Sequence, residues 1–242
     1  MAEWLCSGLQ IRVPRFDSEL RLHPPLQNIF MDDLVRAAMA RWPNIPDIFG
    51  WLSLTTTGQW RLHPDGKALC AETGHAYPAG ESISNPQILA FINRNYSHDD
   101  SGRWFFQNGP QRVFARLDAA PLVFHTADDG NRLQAHTGAY AAEVRSWLLD
   151  AAGHLYVATD LGPGLVAGRD LMPVLDKFTL SDGSPPDLEQ LMSRLSPQTI
   201  STLSVITPFQ SVSVQAVPFH SCAVDQVETM LGFVRNPALG YA

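Results

Sequence analysis

Apolar residues recur along this chain in two spacings, and glycine or proline marks where one gives way to the other. Leu34, Val35, Ala38, Met39 and Trp42 fall on one helical face, with Asp32 placed to cap the helix and Pro43 and Pro46 to end it. The next apolar runs are too short for helices. Trp51–Leu54 and Trp60–Leu62 flank Thr55-Thr-Thr-Gly58-Gln, the pattern of a type I turn followed by a left-handed residue that favours glycine. The same punctuation returns at Asp99-Asp-Ser-Gly102, ahead of Trp104, and at Asp150-Ala-Ala-Gly153, ahead of Leu155. In each copy a Thr or Asp stands three residues before the glycine and a large apolar residue two after it. The spacing predicts three related β-hairpins.

Two of these hairpins lead into similar helical stretches. Asn85 is a cap candidate, Pro86 suits the first helical position, and Ile88, Leu89, Phe91 and Ile92 share a face. Leu171, Met172, Val174 and Leu175 repeat that spacing, with Asp170 as the corresponding cap. The spacing predicts a duplicated unit of hairpin, linker and short helix, over about 50–96 and 146–178, with chance recurrence of a common turn pattern as the competing reading. Strands are expected at Gln111–Leu117, Pro121–His125, Ser201–Thr207 and Ser211–Phe219, with a turn at Asp128-Asp-Gly130-Asn. Residues 1–30 read as irregular or partly extended. A helix after Asp187 carries Leu188, Leu191, Met192 and Leu195, and a last one runs from near Ala223 to the stop at Asn236-Pro237. The expected fold is α+β: repeated hairpin-plus-helix units around a mainly antiparallel sheet, with flanking N- and C-terminal helices. The division expected is 1–48 for an irregular and helical segment, 49–127 for the first unit, and 128–242 for the second with the C-terminal strands and helix.

Composition narrows the classes. Of 242 residues, 45% are hydrophobic and 17% charged, the balance of a folded domain. A net charge of −7, with lysine at Lys67 and Lys177 alone, argues against a nucleic-acid partner, which calls for a basic face. No run approaches the ~18 uninterrupted apolar residues of a membrane span. Cys6, Cys70 and Cys222 are odd in number and far apart, which fits a reducing compartment, and no signal segment is visible; a cytoplasmic protein is expected.

From Gly102-Arg-Trp104-Phe-Phe-Gln107-Asn-Gly109-Pro to Gln111-Arg112-Val-Phe-Ala-Arg-Leu117-Asp-Ala-Ala-Pro121, the wording resembles an uncharacterised proteobacterial family of unknown function. The order of elements over roughly 50–178 also resembles a second such family. Its pattern is a DG-W hairpin, a helix, another hairpin and a charged strand ending in Asp-Ala-Pro-Phe. Here that ending reads Asp118-Ala-Ala-Pro121-Leu122, with one residue inserted and Leu in place of Phe. What the resemblance implies is an α/β fold with repeated motifs and an association with signalling. It implies no activity and no catalytic residues.

Motifs that carry chemistry are sparse. The chain has no GxxxxGK[ST], no GxSxG and no HExxH. Gly162-Pro-Gly164-Leu-Val-Ala-Gly168 reads as a surface loop rather than a phosphate cradle. Cys70 and His75 lack a second pair at zinc spacing, and His125 and His136 flank a turn where they could face each other. The best candidate site is Gln107, Asn108, Gln111 and Arg112, where amides and one guanidinium offer donors to a carboxylate or phosphate, with Trp104 as a flat wall. The competing reading makes Asn108-Gly109 a hairpin turn and Trp104 a core residue. No cofactor, metal or catalytic residue is expected. The leading function is a non-enzymatic regulatory module binding a small acidic ligand or a protein partner. The alternatives are an enzyme whose site forms only on folding and a homo-oligomer, most simply a homodimer.

Overall fold

The computed structural model describes residues 32–42, 44–71, 77–127, 130–187, 203–209 and 216–237. The irregular segment expected over 1–30, the stripe Leu188, Leu191, Met192 and Leu195, and the first residues of the strands expected from Ser201 and Ser211 lie outside them.

Two sheets carry the fold. The first holds β1 (Ile48–Leu54), β2 (Trp60–Leu62), β3 (Glu81–Ser82), β4 (Tyr96–His98), β5 (Trp104–Asn108) and β6 (Gln111–Leu117), in the order β3-β2-β1-β6-β5-β4. The second holds β7 (Leu122–Thr126), β8 (Leu133–Ala135), β9 (Val144–Asp150), β10 (Leu155–Thr159), β11 (Gly162–Val166), β12 (Leu203–Ile206) and β13 (Ala216–Cys222). Its order is β12-β13-β9-β10-β11-β7-β8. Four short α-helices are described: α1 (Asp33–Arg41), α2 (Pro86–Arg94), α3 (Leu171–Leu175) and α4 (Val227–Leu231).

The three glycine turns are one structure. Gly58, Gly102 and Gly153 have φ of +78°, +73° and +84°, and each donates its N–H to the carbonyl three residues back at 3.0 Å. The residue at the start of each turn then locks it with its side chain. Thr55 Oγ1 accepts from the Gln59 N–H at 3.0 Å. Asp99 Oδ1 accepts from Ser101 and Arg103, and Asp150 Oδ1 from Ala152 and His154, all at 2.8–3.0 Å. This side-chain acceptor is the reason Thr or Asp recurs three residues before the glycine.

The sheets also share a plan. In each, three consecutive strands pair antiparallel, β1-β2-β3 and β9-β10-β11, and a helix follows, α2 or α3. A later strand, β6 or β13, returns parallel to the first and brings an antiparallel neighbour, β5 or β12. The second sheet adds β7 parallel to β11, extended by β8. Both sheets are therefore mixed, and the expectation of a mainly antiparallel sheet is corrected. Hairpins announce themselves through turn chemistry, whereas the parallel pairs β1·β6, β9·β13 and β7·β11 join strands far apart in sequence and leave no local mark.

One apolar cluster runs through both sheets. It takes Leu52, Leu54, Trp60, Tyr96, Trp104, Phe106, Val113 and Ala115 from the first, and Leu122, Phe124, Trp147, Val157, Leu165 and Phe219 from the second. The α2 stripe joins it through buried Ile92 and partly buried Ile88, Leu89 and Phe91, and Asn85 caps that helix by accepting from the Gln87 and Ile88 N–H groups. Phe178 and Phe209 pack their rings on Trp147, with centroids 4.8 and 5.9 Å away.

Further expectations change. Gly162–Val166 is strand β11, not a loop. Pro163 fits because the parallel ladder with β7 begins one residue later, at Gly164. A Cβ on Gly164 would lie 2.5 Å from the Phe124 ring, so the glycine there serves close packing. The last helix ends at Gly232, left-handed at φ +69°, rather than at Asn236. Neither Asp32 nor Asp170 caps a helix with its side chain; Asp32 instead accepts from Arg94 and Asn95, tying α1 to the end of α2.

Candidate functional site

Strand alternation distributes the five residues singled out from the sequence. Asn108 and Gln111 pair across the Gly109-Pro110 loop, and Gln107 pairs with Arg112 one step further in. Gln107 is buried; its Nε2 donates to the Gly109 carbonyl at 2.8 Å, and its Oε1 is buried without a partner among the described residues. Asn108 is nearly buried. Gln111 Nε2 donates to the Pro46 carbonyl at 3.1 Å. Arg112 makes a two-pronged contact with Asp47, Nε to Oδ1 at 2.8 Å and Nη2 to Oδ2 at 2.7 Å. Gln111 and Arg112 thus clamp the hairpin to the chain entering β1. Trp104 sits at the other end of β5, buried between the Tyr96 and His98 rings at 4.9 Å each. It is not brought to Arg112, whose guanidinium lies over Phe105 and Phe114 at 5.5 and 5.4 Å.

Folding gathers three further polar clusters, none with a spacing signal. In the first, Ser53 Oγ and His63 Nε2 lie 2.8 Å apart, both buried. Burial, then the Arg116 charge, lowers the His63 pKa, so the ring is neutral. Arg116 is buried beside them. Its Nη1 donates to the Ala68 carbonyl at 2.7 Å and the Pro78 carbonyl at 3.3 Å, Nη2 meets Asp118 at 2.9 Å, and Tyr77 stacks on it. One side chain therefore fastens the chain between β2 and β3 onto β6.

In the second, buried Asp150 holds its turn and also meets His154 Nδ1 at 3.0 Å and the Tyr156 hydroxyl at 3.4 Å. Cys222 pairs with Asp150 across β9 and β13. Burial, then the Asp150 charge, pushes the Cys222 thiol up to about 11, and burial pushes Tyr156 to about 12. Cys222 is a thiol at neutral pH and a poor nucleophile.

The third lies where β7 ends. Asp170 accepts from Thr126 Oγ1 at 2.7 Å, meets His125 Nδ1 at 3.3 Å and takes Arg169 Nε at 3.4 Å. Burial alone would raise this carboxyl, but these hydrogen bonds outweigh it and hold its pKa below the usual value. His125 pairs with Gln134, so it does not face His136. The His136 ring instead turns to the first sheet, packing on Trp60 and Tyr96 with centroids 5.6 and 6.0 Å away. Its Nδ1 accepts from the Val123 N–H at 3.3 Å, and burial lowers its pKa to about 3.

A groove of about 550 Å³ runs between the Asp99 turn and α4, lined by Asp100, Ser101, Asp225, Glu228 and Thr229 among others. Cys70 is exposed, and His75 lies outside the described residues. Among the described residues no three His, Cys, Asp or Glu side chains are grouped to hold a metal, and no helix is long and apolar enough to cross a membrane.

A family model described as "Protein of unknown function (DUF2946)" matches residues 31–238. No curated protein matches. Among solved structures, a DUF1285 family protein from Silicibacter pomeroyi DSS-3 is similar at 17% identity and a TM-score of 0.43, covering 82% of this chain and 100% of that one.

Proposed function

Since the chain belongs to the family described as a protein of unknown function (DUF2946), we propose that it is a non-enzymatic binding module of a regulatory, signalling type, cytoplasmic and built from two copies of one β-sheet unit. Its occupant is a small acidic ligand or a protein partner. One observation carries this reading: the polar side chains at the strand ends hold loops in fixed shapes. Asp99 and Asp150 lock turns, Arg116 fastens the chain before β3, and Arg112 clamps the β5–β6 hairpin to Asp47. Loops fixed in advance present a surface without an ordering cost on binding, which favours recognition. The shared strand order of the two sheets supports copying of one unit.

The ligand meets the β5–β6 hairpin end, formed by Gln107, Asn108, Gln111 and Arg112, with Trp104 supporting the strand from the core. Asp47 holds Nε and Nη2 of Arg112 and leaves Nη1 for an acidic group. Thermal shift against a panel of carboxylates and phosphorylated metabolites tests this, alongside pull-down. A ligand at about 100 times its Kd stabilises by about 2.7 kcal/mol. The Arg112→Ala variant loses the rise in Tm, while Arg145→Ala, on an exposed side chain elsewhere, keeps it. A panel and pull-down without a single hit would contradict the reading, and a rise intact in Arg112→Ala would remove the hairpin end as its site.

A further inference from the structure

We propose that His125 and Arg169 form a second binding site, for a small oxyanion, at the end of β7, with Asp170 as its positioning residue. It does not rest on the Arg112 reading. Strands β7 and β11 run parallel; Val166, the last residue of β11, pairs with Phe124, and β7 continues to Thr126. The chain leaving β11 crosses the end of β7, with the Ala167 N–H donating to the Phe124 carbonyl, and so brings Arg169 and Asp170 to His125. Open edges at the C-terminal ends of parallel strands are where ligands collect in α/β sheets.

The geometry separates holding from presenting. Asp170, with its side chain 12% exposed, is pinned by the 2.7 Å bond from Thr126 and sits at His125 Nδ1. A carboxylate at Nδ1 fixes the ring and leaves Nε2 for another partner. The His125 side chain is 26% exposed, and no described residue bonds its Nε2. Arg169 is 76% exposed, and its contacts to Asp170 and His125 are long, at 3.3–3.4 Å, so its guanidinium is free to turn to a ligand. A ring nitrogen beside an exposed guanidinium offers donors that a carboxylate or phosphate oxygen takes.

Histidine side-chain nitrogen NMR at fixed pH and constant ionic strength tests the site on the full chain with inorganic phosphate in one arm and acetate in the other. The His125 Nε2 resonance is expected to shift saturably in at least one arm, and the stronger arm identifies the oxyanion. In Arg169→Gln the half-saturation concentration rises about tenfold, the loss of one charge-assisted hydrogen bond. Arg169→Lys recovers part of it, and Arg145→Gln changes nothing. Backbone amide spectra confirm that the variants fold, as expected for so exposed a side chain. Absent or linear shifts in both arms, or saturation unchanged in Arg169→Gln, would overturn the proposal.

Discussion

His136 makes the fold sensitive to acid in a window set by its burial. Its Nδ1 accepts the Val123 N–H, so the ring proton sits on Nε2 and the ring is neutral among Trp60 and Tyr96. A second proton would break that bond, face one donor with another and place a charge in the interior. The folded pKa is accordingly lowered to about 3 from 6.5, by burial first and the His125 charge second. Because the folded value lies below the unfolded one, acid protonates the unfolded chain first. The stabilisation is complete above pH ~6.5 and is lost as pH falls toward ~3. Linkage over that interval gives a loss of about 2 kcal/mol by pH ~5 and about 5 kcal/mol at the acid end. Urea unfolding at pH ~7 and ~5, on the wild type and on His136→Asn, isolates the effect, since the Asn oxygen can take the Val123 N–H and other titrating groups are common to both. The wild type should lose about 2 kcal/mol more than the variant between the two pH values. Equal losses, or an NMR titration of His136 near its ordinary value, would show that burial does not hold the ring neutral.

Two further outcomes follow from packing. Arg116→Met leaves the Ala68 and Pro78 carbonyls and Asp118 without their donor and should cost about 2–4 kcal/mol in chemical denaturation, with Arg116→Lys recovering part. Gly102→Ala and Gly153→Ala both strain a left-handed residue by about 1–2 kcal/mol, but the Gly102 Cβ would also lie 2.4 Å from the Gly232 carbonyl oxygen. At Gly153 it meets nothing within 4 Å among the described residues. Melting should therefore fall further for Gly102→Ala, and equal falls would contradict the packing.

The hairpins are legible in the sequence because each turn is settled within five residues, by a glycine and the Thr or Asp that bonds across it. The α2 cap at Asn85 is legible for the same reason. Parallel pairing is not, since Leu54 meets Leu117 and Leu149 meets Ser221 through contacts of long sequence separation. Strand β11 is hidden behind Pro163 and two glycines, residues that lower strand propensity unless the ladder they join is known. At the β5–β6 hairpin end, residue types point to donors, but the partner of Arg112, Asp47, stands 65 residues earlier. The cluster around Asp170 draws on His125, 45 residues away, and carries no spacing to find it by.

Two sheets of like order share one interior. Native-state hydrogen exchange tests it most directly, read at the central strands: Leu52 and Ala115 in the first sheet, Trp147, Val157 and Phe219 in the second. These amides should open with a single free energy, equal to that of global unfolding. Two separate plateaus, one for each sheet, would contradict it.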